Sequence, residues 1–475
     1  MFSLLVKNSS SPYSFLSCGF PVFVMFDTVH FLKSIRNNWL NQRDSDRTFK
    51  FPHFDSTSND LLMAKFSDIE NLYKKELDQL LKLAPRLTHK SVYPSSLERQ
   101  NVSLVCNIFN ETTLAGLEAE YGEISGTVHF VEIILRWWNI INVKNCTKGI
   151  HKQNELCLPF TSASDDRLEF LDKFLAWLER WRALDTTSCL TTDTHQALYQ
   201  STSVISEVVE YSFSGVGVQY LLTGKLQTDN LESRFSRYRQ SSGGNYNVSV
   251  AQVFESEKKL HIMSVLGVKS AKYGPVKFSP EIMNDISISD VMSTDVDVNP
   301  FVSVLNYIGN ETVDVHQSVL LYVCGYAAHK TTQLLSCTTC SDFVLGTHTT
   351  DKYFDNLVRS GLTVPSDIVV ELGTFLYTVM QLLISEEYET KFLTCQNQKQ
   401  LLLNLVGQGV KSHVSLQIFV TDSCLCGRPL TDIYKKLVSI MCNILLNNYT
   451  KLQNDHLICS KKEGVNRKLK TLHYF

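Results

Sequence analysis

The segment from Arg167 to Leu184 constrains the fold more than any other stretch of the chain. At helical periodicity Leu168, Leu171, Leu175 and Leu178 line one face, while Phe170, Phe174, Trp177 and Trp181 line another. Residues three and four apart share a helix face, so a helix apolar on two faces must be buried between neighbours and not laid on a surface. These aromatics read as core packing, and the sequence around them supplies the neighbours. From about Asn41 to Ser214 the pattern is helical, with little strand alternation and no repeat of fixed period. Ile69, Leu72, Tyr73, Leu77, Leu80 and Leu83 mark another amphipathic helix, which Pro85 closes. Few glycines (21) and prolines (11) in 475 residues fit helices joined by short connections, and 44% hydrophobic residues suffice for about three domains.

Ahead of this helical region, Val22 to Phe26 is an unbroken apolar run ended by Asp27, which reads as a strand covered on both faces. A helix follows at once. Asp27 is suited to its N-cap; Val29, Leu32, Ile35 and Trp39 form one stripe, and His30, Lys33 and Asn37 another. The longest N-terminal apolar stretch, Phe15 to Phe26, is interrupted by Gly19 and Pro21 and is shorter than the ~20 residues of a membrane span, so no membrane partner is expected. Charge excludes another class. With 45 basic and 48 acidic residues the net charge is −3, so any DNA contact is a local patch. Thirteen scattered cysteines, in a chain too large to need disulfide staples, favour a reducing compartment.

Further along, Ser241-Ser-Gly-Gly-Asn245 breaks a charged helix running from about Asp229 to Gln240, and Lys269 to Asn299 reads as loop. Beyond Phe301 the pattern is helical again, with a long helix over Asp367 to Leu383 and a short basic tail carrying Lys461, Lys462, Arg467, Lys468 and Lys470. Common enzyme signatures are missing: there is no HExxH and no GxSxG, and Gly217 to Lys225 has six residues between its glycines where a phosphate loop has four. Asp295-Val-Asp297-Val-Asn299 begins like a calcium loop, but Pro300 and Asn306 stand where Gly and Glu are needed.

Two constellations remain. Cys337-Thr-Thr-Cys340 has the spacing by which two thiolates reach one Zn²⁺, with Cys324, His329 and His348 near enough in sequence to complete a tetrahedron; buried structural cysteines are the alternative. On a helix, Asp229 and Glu232 fall on one face beside Arg234, Arg237 and Arg239. Such carboxylates can hold a hard divalent cation and the arginines can balance phosphates, or the whole can be a salt-bridged surface helix.

Taken together, Asp27-Thr-Val-His30-Phe-Leu-Lys33-Ser-Ile-Arg36-Asn37-Asn38 and the later Leu-Thr-Gly-Lys-Leu-Gln-Thr-Asp229-Asn-Leu-Glu232-Ser-Arg-Phe-Ser-Arg-Tyr-Arg, then Ser-Ser-Gly-Gly-Asn245, resemble the P-element transposases and their THAP-domain relatives in order and spacing. Weaker similarity runs through Pro85-Arg-Leu-Thr88, Val102-Ser-Leu-Val105, Thr127-Val-His-Phe130 and Trp138-Asn139-Ile-Ile-Asn142 to Tyr322-Val-Cys-Gly325-Tyr326 and the CxxC pair. The resemblance implies a mainly α chain with an incomplete α/β RNase H-like core: residues 1–40 hold part of that core, 41–214 a helical insertion resembling a GTP-binding domain, 215–270 the last core segment, and 271–475 a helical C-terminal region.

It also implies DNA transposition in the nucleus by two-metal chemistry, in which three carboxylates hold Mg²⁺ ions. Glu232 matches the third carboxylate, with Asp229 beside it; Asp27 is either the second or a helix cap. The first aspartate and a zinc finger lie upstream in the family, and 26 residues precede Asp27 here. The expectation is therefore an incomplete chain that does not cut DNA by itself. At the guanine site the family's Asp-x-x-Asn has become Asn139-x-x-Asn142; an amide cannot offer the charged double acceptor that guanine favours, so GTP binding should be weakened or lost. Transposon-end DNA and a second copy or a related transposase are the expected partners. The alternative function is a non-catalytic DNA- or transposase-binding protein derived from a transposase.

Overall fold

The structure, a computed structural model, describes the chain outside residues 1–13, 18–19, 56–59, 185–186, 245–246, 273–297, 308–314, 348–350, 352, 355–356, 358–362 and 473–475. Two units are resolved: Met1–Thr223 with Val296–Phe475, and Gly224–Asp295. Mainly helical architecture is observed. The described strands form two separate antiparallel hairpins, β1 (Ser14–Ser17) with β2 (Phe20–Phe23), and β3 (Thr48–Pro52) with β4 (Leu61–Lys65).

The first hairpin corrects the reading of Val22 to Phe26. The strand ends at Phe23, pairs on one side with β1 (Phe15 opposite Val22), and leaves Phe20 71% and Phe26 52% exposed, so it is not covered on both faces. The second hairpin lies where the sequence suggested helix alone. Phe49 and Phe51 point inward and Lys50 between them outward, an alternation too short to stand out against helical surroundings.

The helix Thr28–Leu40, which we call the motif helix, and the segment 41–214 share one core rich in aromatic rings. Trp39 sits at its centre, stacked on Phe49 and edge-on to Phe66 and Phe130. The helix Arg167–Ala183 buries Phe170, Leu171, Phe174, Trp177, Leu178 and Trp181, with Leu168 and Leu175 half-buried, as its two stripes require. Its indoles are also anchored: Trp177 Nε1 donates to the Pro52 carbonyl (2.8 Å) and Trp181 Nε1 to that of Lys50 (2.7 Å).

The amphipathic helix ahead of Pro85 is shorter than its apolar spacing suggested, covering Phe66–Lys75. Beyond it the buried Glu76 carboxylate accepts the N–H groups of Leu83 (2.5 Å) and Ala84 (3.2 Å), so the chain turns there and Leu77, Leu80 and Leu83 reach the interior from a loop. A side-chain acceptor has replaced helical carbonyls as the partner of those donors.

A second, largely aliphatic core gathers the helices Gln317–Thr332, Asp367–Leu383, Gln398–Ser412 and the first half of Leu430–Leu472. The helix over Asp367–Leu383 has the bounds its sequence predicted. The basic tail does not: Lys461 to Lys470 continue the long helix Leu430–Leu472. The proposed loop at Lys269 to Asn299 falls mostly outside the described residues, although Lys269–Lys272 close the helix Val250–Lys272. No helix among the described residues is long and apolar enough to cross a membrane.

Candidate functional site

In the motif helix, Asp27 is the N-cap, its Oδ1 accepting the Val29 N–H at 3.0 Å while Oδ2 lies 3.9 Å from His30 Nε2. His30 Nδ1 and Lys33 Nζ are 3.0 Å apart one turn on. Arg36 is fully buried: its Nε donates to Asn37 Oδ1 and its Nη2 to the Arg99 carbonyl (2.9 Å), which Asn37 Nδ2 also reaches (3.3 Å). Burial and the charge of Arg99 pull the Arg36 guanidinium down to about 10. This part of the motif clamps the helix to the turn at Glu98–Gln100.

In the smaller unit, Asp229 and Glu232 occupy the first turn of the helix Asp229–Ser241, both exposed, with the Glu232 N–H bonded to the Thr228 carbonyl (2.9 Å). Gly243 and Gly244, at φ of +75° and +80°, end that helix as the breaker predicted. Arg234 is not a spare cation. It forms a forked pair with Glu257 of the helix Val250–Lys272, Nε to Oε1 at 2.7 Å, and Tyr238 donates its hydroxyl to the same carboxylate. The Arg234 and Tyr238 hydrogen bonds hold the Glu257 carboxyl down at about 2. Asp27 and the Asp229/Glu232 pair thus belong to different units, and Arg234 joins the helix Asp229–Ser241 to the helix Val250–Lys272.

Asn139 is buried and lines a cavity of about 580 Å³ with Arg86, Glu111, Glu132, Arg136 and Lys152. Two of its three cations are paired: Lys152 Nζ lies 2.9 Å from Glu111 and Arg136 lies 4.0 Å from Glu132. Partial burial raises the half-buried Glu111 carboxyl, yet Lys152, with smaller help from its own backbone N–H and Arg86, more than offsets this and leaves it below its ordinary value. Asn142, the C-cap of the helix Gly126–Ile141, is not among the lining residues; its carbonyl accepts from Lys148 Nζ (3.1 Å).

Cys337 and Cys340 come together at the start of the helix Thr338–Val344, but not with the partners expected. Cys324 is buried against Gly373, His329 Nδ1 is 3.1 Å from Thr363 Oγ1, and His348 lies outside the described residues. Their partners are Cys424 and Cys426: Cys337 Sγ to Cys424 Sγ is 3.8 Å, Cys340 Sγ to Cys426 Sγ is 3.6 Å, and all four sulfurs lie within 4.8 Å of one another. The Cys340 N–H, with the neighbouring thiols, holds the Cys337 thiol down at about 6, whereas burial pushes Cys340 up. Cys424-Leu-Cys426-Gly427 was the missed signal, a second closely spaced cysteine pair 86 residues downstream of the first.

Among solved structures, the chain is similar to the Drosophila P element transposase strand transfer complex, with a TM-score of 0.43 and 18% identity over 54% of this chain and 55% of that one. The chain thus spans about half the length of that structure. No family model and no curated protein matches it.

Proposed function

We propose that this chain is a P-element-like transposase chain that binds transposon-end DNA in the nucleus, with an RNase H-like two-metal site to which Asp27, Asp229 and Glu232 contribute. The observation that carries the reading is that two motifs, matching the family in order and spacing, each open a helix: Asp27 at the cap of Thr28–Leu40, and Asp229 with Glu232 in the first turn of Asp229–Ser241. Carboxylates at helix starts are set by backbone geometry, which two-metal phosphodiester chemistry requires of its ligands. When bound, Mg²⁺ would polarise the scissile phosphate; Asp27 and Glu232 would hold it, and Asp229 would stand beside them. The motifs provide two of the three carboxylates, so cleavage requires a further one.

A second reading, a non-catalytic DNA- or transposase-binding protein, draws on the use Asp27 already has: its carboxylate caps its own helix. Partnership with a second copy or a related transposase fits either reading. The cavity beside Asn139 is lined by three cations, Arg86, Arg136 and Lys152, and three carboxylates, Glu111, Glu118 and Glu132, so it offers a triphosphate little net attraction, which supports weak GTP binding or none.

Duplex DNA binding by this chain, followed over a salt series, tests both readings. Affinity should rise steeply as ionic strength falls, and absence of binding at low salt would defeat both. Joined to a segment supplying the first aspartate, the chain should gain Mg²⁺-dependent strand cleavage that Glu232→Ala abolishes while binding survives. Unchanged cleavage would remove Glu232 from the chemistry, and no cleavage with intact binding would select the second reading.

A further inference from the structure

We infer that Cys337, Cys340, Cys424 and Cys426 form a structural tetrathiolate Zn²⁺ site that ties the start of the long C-terminal helix to the helix Thr338–Val344. Zinc bound by four thiolates is tetrahedral with Zn–S near 2.3 Å, which places the sulfurs about 3.8 Å apart. The two cross-pairs here, 3.8 and 3.6 Å, have that edge length, and the remaining separations stay within 4.8 Å. A disulfide needs sulfurs about 2.05 Å apart, so neither cross-pair has that geometry. The described cysteines are all free.

Each half of the site is made by local backbone. Cys337 is the N-cap residue of its helix and Cys340 lies in the first turn, and the Ser341 N–H, bonded to the Cys337 carbonyl (3.1 Å), closes that turn. On the other side the chain doubles back: Ser423 pairs with Pro429, the Cys424 N–H reaches the Arg428 carbonyl and the Gly427 N–H the Cys424 carbonyl, both at 2.8 Å. Gly427 takes φ +82°, a conformation L residues rarely adopt, immediately after the second cysteine. Alternate residues of this turn face opposite ways: Cys424 and Cys426 meet the CxxC pair while Leu425 between them is 96% exposed. Leu430 then begins the long helix, so the metal would fix where that helix starts.

Metal analysis of the full chain purified without chelator provides the test. One zinc per chain is expected, and Co²⁺ exchanged into the site should give the visible bands and thiolate charge-transfer absorption of a tetrahedral four-sulfur centre. Cys424→Ser with Cys426→Ser should reduce the zinc content at least tenfold and lower the melting temperature, whereas Cys146→Ser, at an exposed cysteine outside the cluster, should change neither. Cys426→His should retain the metal, because imidazole replaces a thiolate ligand in many such sites. Should the double variant fail to fold, the Co²⁺ spectrum of the unaltered chain still decides. Metal-free protein whose four cluster thiols titrate along with the others, iron in place of zinc, or Cys337–Cys424 and Cys340–Cys426 disulfides in non-reducing peptide maps would each overturn the assignment.

Discussion

The two hydrophobic cores of the larger unit achieve order by different means. In the aromatic core, rings are locked by direction as well as volume: four indoles donate to fixed acceptors, Trp39 to the Ala64 carbonyl, Trp137 to Thr202, Trp177 to Pro52 and Trp181 to Lys50. The side chains of Leu372, Leu376, Met380, Leu405 and Met441, at the heart of the aliphatic core, have no such handles, since apolar contact is non-directional. Directional ties there come from a few tyrosine hydroxyls, Tyr353 donating to the Leu83 carbonyl (2.6 Å) and Tyr449 to Glu389 (2.9 Å), and from the four converging cysteines. A core of branched aliphatics tolerates repacking that one of hydrogen-bonded rings does not.

That contrast can be broken most readily at Trp177. Trp177→Ala should cost about 3–5 kcal/mol, because it empties a large buried volume and strands the Pro52 carbonyl. Chemical denaturation followed by circular dichroism measures it, and Trp177→Phe should recover most of the loss. A cost no greater than that of Leu376→Ala would remove the distinction between the cores. Gly373→Ala probes the other side: an added Cβ would meet Cys324 Sγ at 2.3 Å, so about 1–3 kcal/mol of overpacking is expected, and Cys324→Ala in the same chain should relieve it. If the aliphatic core yields as freely as supposed, the cost will lie at the low end.

The smallest effect is expected at the seam between the cores, where Glu76 accepts from Leu83 on one side and Ala84 on the other. Burial raises its carboxyl above the ordinary 4.5 despite those two N–H groups. The folded chain then holds its proton more tightly than the unfolded chain, so this group's contribution is fully present below pH 4.5 and declines as pH rises through the raised folded value. Glu76→Gln should flatten the stability–pH curve across that window and shift stability at neutral pH by no more than about 1 kcal/mol. An unchanged slope would show that Glu76 does not titrate with folding.

Much of this was legible in the residues. The two-faced helix at Arg167, the motif helix capped by Asp27 and the helix over Asp367–Leu383 stand where periodicity and caps place them, because each is set by spacing within a dozen or so residues. The hairpin at Thr48–Lys65 was missed because five-residue strands carry little periodic signal. The helix containing Ile69, Leu72 and Tyr73 was foreseen, but its early end at Lys75 was missed because apolar spacing does not show a carboxylate capturing backbone donors from a loop. At the candidate sites, Asp229 and Glu232 share a helical turn as their spacing demands. The pairing of Arg234 with Glu257, and of one cysteine pair with another 86 residues away, depends on tertiary contact that local spacing does not encode.

All five tryptophans, Trp39, Trp137, Trp138, Trp177 and Trp181, belong to the aromatic core. Intrinsic emission is therefore a one-sided reporter. It will follow the opening of that half of the larger unit and stay nearly silent while the C-terminal helices loosen, so a fluorescence trace lagging behind the loss of ellipticity would separate the melting of the two halves without any added label.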